Sequence, residues 1–350
     1  MELEGAARGP HGAPLKPPRP WHHFLVQPLA KAADLLFDPS IVFSFDQTGY
    51  LRHRCQFDDD DLDVDMSHRI CVVTGGNSGL GLATTRALAE RGATVWILGR
   101  NTVRSEREVA QLKRETQNPH IHQAHLDLTE PDSITQLSQT LPLDRIDILI
   151  NNAGALLSEK NVTQNGIDQS LATNLTGHLA LTAALLERLR RGERARIIWV
   201  SSGGMYAKKL NVDHLFSPPA PFDGVAAYAQ AKRAMTVISE QLSRQLASQG
   251  IAVHCMHPGW AATPGVEQSL PRFWQITRPI LRTPAAGADT IVWLAVCDKA
   301  AAQPGLFWFD RKPRSLHLLP RTQHTTEEAN HLWASVHEWA QLNPIIWDYS

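Results

Sequence analysis

The sequence predicts an α/β fold: one doubly wound parallel sheet of about seven strands with helices on both faces. Three observations carry that expectation. From Arg69 onward, short β-rich runs alternate with helical segments. The runs are nearly continuous in apolar character, as a sheet buried on both sides requires. A glycine-rich turn, Thr74-Gly75-Gly76-Asn77-Ser78-Gly79-Leu80-Gly81, joins the first run to the first helical segment.

In chain order, the expected strands are Ile70–Thr74, Thr94–Leu98, Ile121–His125, Ile146–Ile150, Arg196–Ser201, Ile251–Met256 and Leu306–Phe309. The helical segments between them lie near 80–91, 103–117, 131–140, 165–190, 225–248 and 285–297. Residues 326–342 read as a further helix, with Trp333, Val336 and Trp339 at helical spacing for packing or an oligomer contact. Three units follow: an N-terminal arm over 1–66, a cofactor-binding domain over 67–315 and a C-terminal extension over 316–350. Five Pro and three Gly within 1–20 predict disorder there. Residues 21–43 are apolar but broken by Pro28 and Pro39. Phe24, Leu25, Leu29, Leu35 and Leu36 could line one side of a short helix. Such a helix would serve as an arm packed on the domain, an oligomer contact or a peripheral membrane contact.

Composition narrows the function classes. The chain has 350 residues, 43% hydrophobic and 20% charged, with a net charge of -1. That balance gives no footprint for nucleic acid. No apolar run is long enough to span a bilayer, and Glu2 and Glu4 stand where a signal peptide would carry basic residues. The four cysteines form no C-x-x-C pair and read as buried thiols of a reducing, cytoplasmic setting. The sixteen histidines show no ligand spacing, so no metal site is expected, and Asp58 to Asp61 read as a solvated turn.

The chemistry-bearing residues fall at the ends of the expected strands. Glycines at 75 and 79 let the backbone turn tightly toward a pyrophosphate, and the helix opening there offers unpaired N–H groups. Its spacing is G-x-x-x-G-x-G. After the second strand, Gly99-Arg100-Asn101 lacks the acid that would bind a ribose 2′-hydroxyl. Arg100, with Arg104 following, suits a 2′-phosphate, which favours NADP(H) over NAD(H); the alternative is a surface arginine. Asp127-Leu128 ends the third strand, where Asp127 faces an adenine or caps a helix. Asn151-Asn152-Ala153-Gly154 follows the fourth. Asn174, a poor helix-interior residue, lies in the next helix. Ser201 and Ser202 end the fifth strand, and His257-Pro258-Gly259 the sixth, both at the edge where ligands bind in such sheets. Tyr228 and Lys232 are one helical turn apart, so an ammonium can favour a phenolate and tune the phenol for proton transfer.

Taken in order, Thr74–Gly81, Asp127, Asn151–Gly154, Asn174, Ser202, Tyr228/Lys232 and Pro258–Gly259 resemble the short-chain dehydrogenase/reductase family over about residues 67–310. The resemblance extends to a subfamily through Thr48-Gly49-Tyr50 in the arm, Pro221–Gly224, Thr263–Val266 and Asp310-Arg311-Lys312-Pro313. It implies a Rossmann-type domain in which Tyr228 exchanges a proton with a carbonyl or alcohol oxygen. Ser202 would donate a hydrogen bond to that oxygen, and Lys232 would lower the Tyr228 pKa and hold the nicotinamide ribose. Asn174, through a helix kink, would position a water in a proton relay. It further implies cofactor contacts from Gly75, Asn77, Ser78, Gly79, Leu80, Arg100, Asp127, Leu128, Asn152, Ala153, Gly154, Pro258, Gly259 and Thr263. Helices 165–190 and 225–248 resemble those that build homo-oligomers in the family.

Two departures bear on the site. Ser202 and Tyr228 are 26 positions apart, so 206–223 must loop out for the two to meet, or else wall the substrate. Ser78 stands where a basic residue commonly supports NADP, leaving that argument to Arg100. Trp260, Leu270, Phe273, Trp274, Ile276 and Ile280 suit an apolar lid over a lipophilic small-molecule carbonyl or alcohol, or simply pack together. The functional expectation is an NADP(H)-dependent oxidoreductase; the alternative is an NADP(H)-binding sensor or scaffold with little catalysis.

Overall fold

The structure is a computed structural model that describes residues 22–38, 40–342 and 344–347. The arm holds α1 (His22–Phe37), α2 (Ile41–Phe45) and α3 (Gln47–Arg54). There follow β1 (Ile70–Thr74), α4 (Gly79–Ala89), β2 (Thr94–Gly99), α5 (Thr102–Thr116), β3 (Ile121–His125), α6 (Pro131–Thr140) and β4 (Ile148–Asn151). The next helical stretch comprises α7 (Gln169–Leu171), a π-turn (Ala172–Thr176), α8 (Gly177–Ala184) and α9 (Leu186–Arg190). The chain continues with β5 (Arg196–Val200), α10 (Val212–Phe216), α11 (Gly224–Leu246), β6 (Ala252–Met256), α12 (Pro264–Ser269), α13 (Pro271–Thr277) and α14 (Pro284–Val296). It closes with α15 (Asp298–Ala301), β7 (Phe307–Phe309), β8 (Lys312–Pro313) and α16 (Thr326–Trp339).

The sheet order is β3-β2-β1-β4-β5-β6-β7-β8, parallel through β7. The expected seven strands are present. The eighth is a two-residue antiparallel return of β7. Strand side chains alternate between two cores, as a pleat of period two demands. Val72, Leu149, Ile197, Trp199 and Val253 meet α6, α8 and α11. Cys71, Val73, Ile148, Ile150 and Ile198 meet α4, α5 and α14. Each fully buried aliphatic chain contributes ~1.5–3 kcal/mol. The chain order reverses between β1 and β4, which opens the crevice at the carboxyl edge where ligands bind in this architecture.

Several expectations are corrected. The 165–190 segment is not one helix: it begins at Gln169 and carries the π-turn around Asn174. Helix α1 runs through Pro28, despite the missing i→i−4 hydrogen bond there. Leu35 and Leu36 do not pack on the domain; they are 82% and 77% exposed. The side chains of Phe24, Leu25 and Leu29, like residues 1–20 and Pro39, lie outside the described residues. The acidic run is more than a solvated turn, because Asp61 accepts from Trp293 Nε1 at 2.8 Å and from Lys299 Nζ at 2.6 Å. The insert 206–216 folds back on the domain, with Leu210, Val212 and Leu215 buried in the first core and Phe216 stacked on Trp339. On α16, Val336 is fully buried and Trp333 packs against the core, while Trp339 stays 36% exposed. The four thiols are unpaired, and burial pushes Cys71 and Cys255 up to about 12. Among the described residues no helix is long and apolar enough to cross a membrane.

Two predictions follow from this packing. A Cβ on Gly177 would lie 2.1 Å from the Leu128 carbonyl oxygen. Gly177→Ala should therefore cost ~1–3 kcal/mol, read as a lowered urea midpoint; an unchanged midpoint would show that α8 can back away freely. His254, on β6, is fully buried, and neither ring nitrogen has a partner among the described residues. Burial, then Arg196, pushes its pKa from 6.5 to about 3. Between those values the unfolded chain binds a proton that the native state refuses. The His254 contribution to stability is thus complete above pH 6.5 and falls with pH by up to ~1.4 kcal/mol per unit. His254→Leu should lose less stability than the parent between pH 7 and pH 5, measured by denaturant midpoints.

Candidate active site

The site forms at the carboxyl ends of β1, β4, β5 and β6. Thr74, the last residue of β1, is its structural node. Its hydroxyl accepts from Asn152 N and Ala153 N, both at 2.9 Å, and lies 3.0 Å from His178 Nε2. Asn152 Nδ2 donates back to the Thr74 carbonyl at 2.8 Å. The ends of β1 and β4 are thereby locked together under the glycine-rich turn.

The turn fits a phosphate-bearing cofactor. Gly75 and Gly79 hold φ of +63° and +50°, the left-handed region that glycine adopts without strain. A Cβ on Gly81 would sit 2.2 Å from the Gly75 carbonyl oxygen, so α4 can approach the turn this closely only as glycine. Ser78 is the N-cap of α4 yet makes no side-chain capping bond, which leaves the first-turn N–H groups of this helix for an anion. Thr263 reaches over from the loop after β6, its methyl 3.2 Å from where a Gly79 Cβ would be.

Other sequence-predicted contacts are engaged by the protein itself. Asn77 Nδ2 donates to Ser105 Oγ at 2.8 Å, tying the turn to α5. Leu80 points at Gly287 of α14, so only its backbone faces the turn. Asp127 accepts from Thr129 N and Oγ1 at 2.8 and 2.7 Å in a local turn and caps no helix, since the N-cap of α6 is Glu130; Leu128 is buried in the core. Arg100 is exposed just past β2, with Arg104 half-buried on the first turn of α5.

Asn174, Ser202, Tyr228 and Lys232 come together below the turn. In the π-turn, Asn174 Nδ2 donates to Ser170 O at 2.8 Å and to Ala155 O at 2.6 Å. The side chain so takes the carbonyl four residues back, the acceptor its own backbone would use in an α-helix. Asn174 Oδ1 is buried without a partner among the described residues. A Cβ on Gly154 would lie 2.9 Å from that oxygen and 3.5 Å from Lys232 Nζ, so Asn174 and Lys232 share one small space. Lys232 is 2% exposed and donates to Val200 O at 2.9 Å. Burial lowers its pKa to about 8. Its ammonium lies 5.6 Å from the centre of the Tyr228 ring. Burial raises the pKa of the half-buried Tyr228, and the neighbouring Ser202 side chain opposes that shift. The lowering of the Tyr228 pKa expected from Lys232 is not the net direction here, because desolvation dominates both groups. Ser202, the N-cap of the following turn, accepts from Gly204 N at 3.2 Å, while Ser201 is turned inward and donates to Lys232 O at 3.0 Å. That contrast separates the two adjacent serines.

Pro258 and Gly259 border the same edge. Gly259 holds φ +74°, and a Cβ there would lie 2.4 Å from Arg282 Nε. Sequence reasoning missed Arg282, Phe45 and His178. His178 is buried and its pKa is lowered to about 3 by burial and then by Lys232, so it is a neutral strut between Thr74 and the π-turn. Its signal was its place four residues after Asn174, one helical turn away.

Residues 69–272 match the family described as short chain dehydrogenase. The protein of Bos taurus named dehydrogenase/reductase SDR family member 12 is 40% identical over 300 residues, covering 85% of this chain and 94% of that one. Human retinol dehydrogenase 13 is 31% identical over 278 residues, covering 75% and 82%. In fold, a short-chain dehydrogenase from Escherichia coli complexed with NADPH superposes with a TM-score of 0.58 at 23% identity, covering 71% and 99%. The chain belongs to the short-chain dehydrogenase/reductase family, a class of oxidoreductases that act on CH–OH and carbonyl groups with a nicotinamide cofactor. Within it, this chain resembles the member-twelve subfamily.

The cradle yields a direct prediction. Gly81→Ala should weaken NADPH binding by about tenfold or more, ~1.4 kcal/mol, in a fluorescence titration; retained affinity would place the cofactor elsewhere.

Proposed function

We propose that the protein is an NADP(H)-dependent oxidoreductase that interconverts a carbonyl and an alcohol on a lipophilic small molecule. The observation that carries this reading is the convergence of Ser202, Tyr228, Lys232 and Asn174 beside the glycine cradle. The nicotinamide, when bound, supplies or accepts the hydride. In the reducing direction Tyr228 gives its phenolic proton to the substrate oxygen, while Ser202 hydrogen-bonds that oxygen as negative charge develops. Lys232, with a pKa near 8, then returns a proton toward Tyr228. The unpaired Asn174 Oδ1 favours a water between it and Lys232 as the path to solvent. Gly75, Gly79 and the N-terminus of α4 are assigned to the pyrophosphate. Asp127–Leu128 and Asn152–Gly154 are assigned to the adenosine and ribose side, and Pro258, Gly259 and Thr263 to the nicotinamide side.

Arg100, with Arg104 beside it, supports a 2′-phosphate and so NADP(H). The lipophilic substrate rests on the apolar flap after β6, where Trp260 and Phe273 meet edge-to-face at 5.3 Å, and on the retinol in a relative's name. We take residues 67–315 as the cofactor-binding unit and the four unpaired thiols as support for a reducing, cytoplasmic setting.

Tyr228→Phe should lower turnover by about 10²–10⁴-fold with NADPH affinity unchanged, measured by NADPH absorbance across a panel of lipophilic ketones and aldehydes. Turnover at the parent rate would remove Tyr228 from the mechanism. Arg100→Asp should cut the NADPH-over-NADH preference by about tenfold, the loss of one charge-assisted contact. An unchanged ratio would show that Arg100 does not select the cofactor.

A further inference from the structure

The N-terminal arm is not a peripheral attachment. The carbonyl of Phe45 accepts from Trp260 N and from Arg282 Nε, both at 2.8 Å, and Gln47 N donates to Ile280 O at 2.8 Å. Trp260 and Arg282 are themselves joined, Arg282 N to Trp260 O at 2.7 Å and Ala262 N to Arg282 O at 2.8 Å. These bonds close the neck of the flap formed by α12 and α13, and the arm is the third member of that neck. The ring of Phe45 continues inward. It packs on His257 at 4.5 Å and Phe309 at 5.1 Å, and it lies so close to Gly203 that a Cβ there would be 2.5 Å away. Gly203 is the residue after Ser202, and Gly259 is pressed by the Phe45 carbonyl, which would be 2.7 Å from its Cβ. One arm residue therefore touches both sides of the site.

A buried ion chain holds the arm in place. Arg282 is fully buried, and its guanidinium is bidentate to Asp310, at 2.6 and 2.9 Å. Its remaining donors reach the carbonyls of Ser44, Phe45 and Asp46. His53 links Asp310, at 2.6 Å, to Asp38, at 2.8 Å. Arg52 and Arg314 pair with Asp38, and Gln56 donates to Asp34. The grouping of Asp34, Asp38 and His53 is thus an ion network already supplied with cations. Burying a guanidinium away from water is costly unless every donor is met, and packed apolar residues would fill such a place as stably. Asp310 and Arg311 also adopt φ of +49° and +56° in the two-residue turn between β7 and β8, a conformation that usually falls to Asn or Gly. The turn keeps this strain while Arg282 grips one side chain and Asp289 the other, bidentately at 2.7 Å.

We propose that Asp38 and residues 40–54 are a positioning element of the active site: Phe45 supports the Ser202–Gly203 turn and the flap neck, and the Arg282–Asp310–His53–Asp38 chain locks it there. This rests on the assignment of Ser202 and Tyr228 to the reaction. The residues act through backbone placement of Ser202 and Gly259 and touch no reacting atom.

The test uses the full-length protein with NADPH bound and compares Phe45→Ala, Phe45→Leu, Asp310→Asn and Tyr228→Phe. Amide hydrogen exchange at 203–207 and 259–263 should rise about tenfold in Phe45→Ala and Asp310→Asn, with β1 unchanged, because only local opening is altered. NADPH affinity should stay within about twofold, while kcat on a carbonyl turned over by the parent falls about tenfold or more. Phe45→Leu, which keeps the fold and most of the ring's volume, should recover most of both. Parent-like exchange at both segments, or parent-like kcat in Phe45→Ala, would overturn the proposal. So would a loss spread evenly over the sheet, which marks a merely structural arm. Tyr228→Phe should keep parent exchange without turnover. If it turns over instead, the proton-transfer assignment fails while the exchange comparison still decides whether the arm supports these segments.

Discussion

The constraint on which the site depends is the burial of the Lys232 ammonium. A primary amine withdrawn from water loses its charge readily, and here burial brings it to about 8. Its described hydrogen bond is to the carbonyl of Val200, at the last residue of β5. The space around it exists because Gly154 has no side chain and because the π-turn swings Asn174 inward. A β-carbon at 154, 2.9 Å from Asn174 Oδ1 and 3.5 Å from Lys232 Nζ, would take up that space. Lys232 is thus carried by α11 and hydrogen-bonded to β5, with the β4 loop and the π-turn bordering the same small space.

The same economy governs the cofactor cradle. Thr74 joins β1 to the loop after β4 through its hydroxyl, and His178 ties that hydroxyl to the helix carrying Asn174. The glycine-rich turn and the groups around Lys232 and Asn174, to which we assign phosphate binding and proton transfer, are therefore two ends of one hydrogen-bonded frame. This is why side chains named as cofactor contacts, such as Asn77, Asn152 and Asp127, spend hydrogen bonds on the protein. They shape the cradle that backbone groups present.

Much of this was legible in the sequence. The strands were marked by apolar runs, and the site by residue types at strand ends, because in a parallel sheet the carboxyl edge is where such residues meet. The π-turn was foreshadowed only by an asparagine in a helix, since its geometry depends on Ser170 and Ala155 as acceptors. The insert 206–223 read as a loop because its apolar residues, Leu210, Val212 and Leu215, are spaced for a surface that only α11 and α16 create. The particular contacts that hold the arm were illegible for a similar reason. Phe45, Arg282 and Asp310 are distant in sequence, and no local pattern announces that a guanidinium will be buried between them. The exposed Leu35 and Leu36 show the opposite failure: an apolar spacing that suggests a packed face says nothing about whether the fold supplies a partner for it.

The most direct measurement of the central claim is isotope transfer. The protein would be incubated with NADPH carrying deuterium at the reactive nicotinamide carbon and a panel of lipophilic aldehydes and ketones, and the alcohols analysed by mass spectrometry. The account predicts one deuterium on the new carbinol carbon, formed by the parent and about 10²–10⁴-fold more slowly by a variant lacking the Tyr228 hydroxyl. NADPH that binds tightly while no carbonyl in the panel acquires deuterium would contradict it.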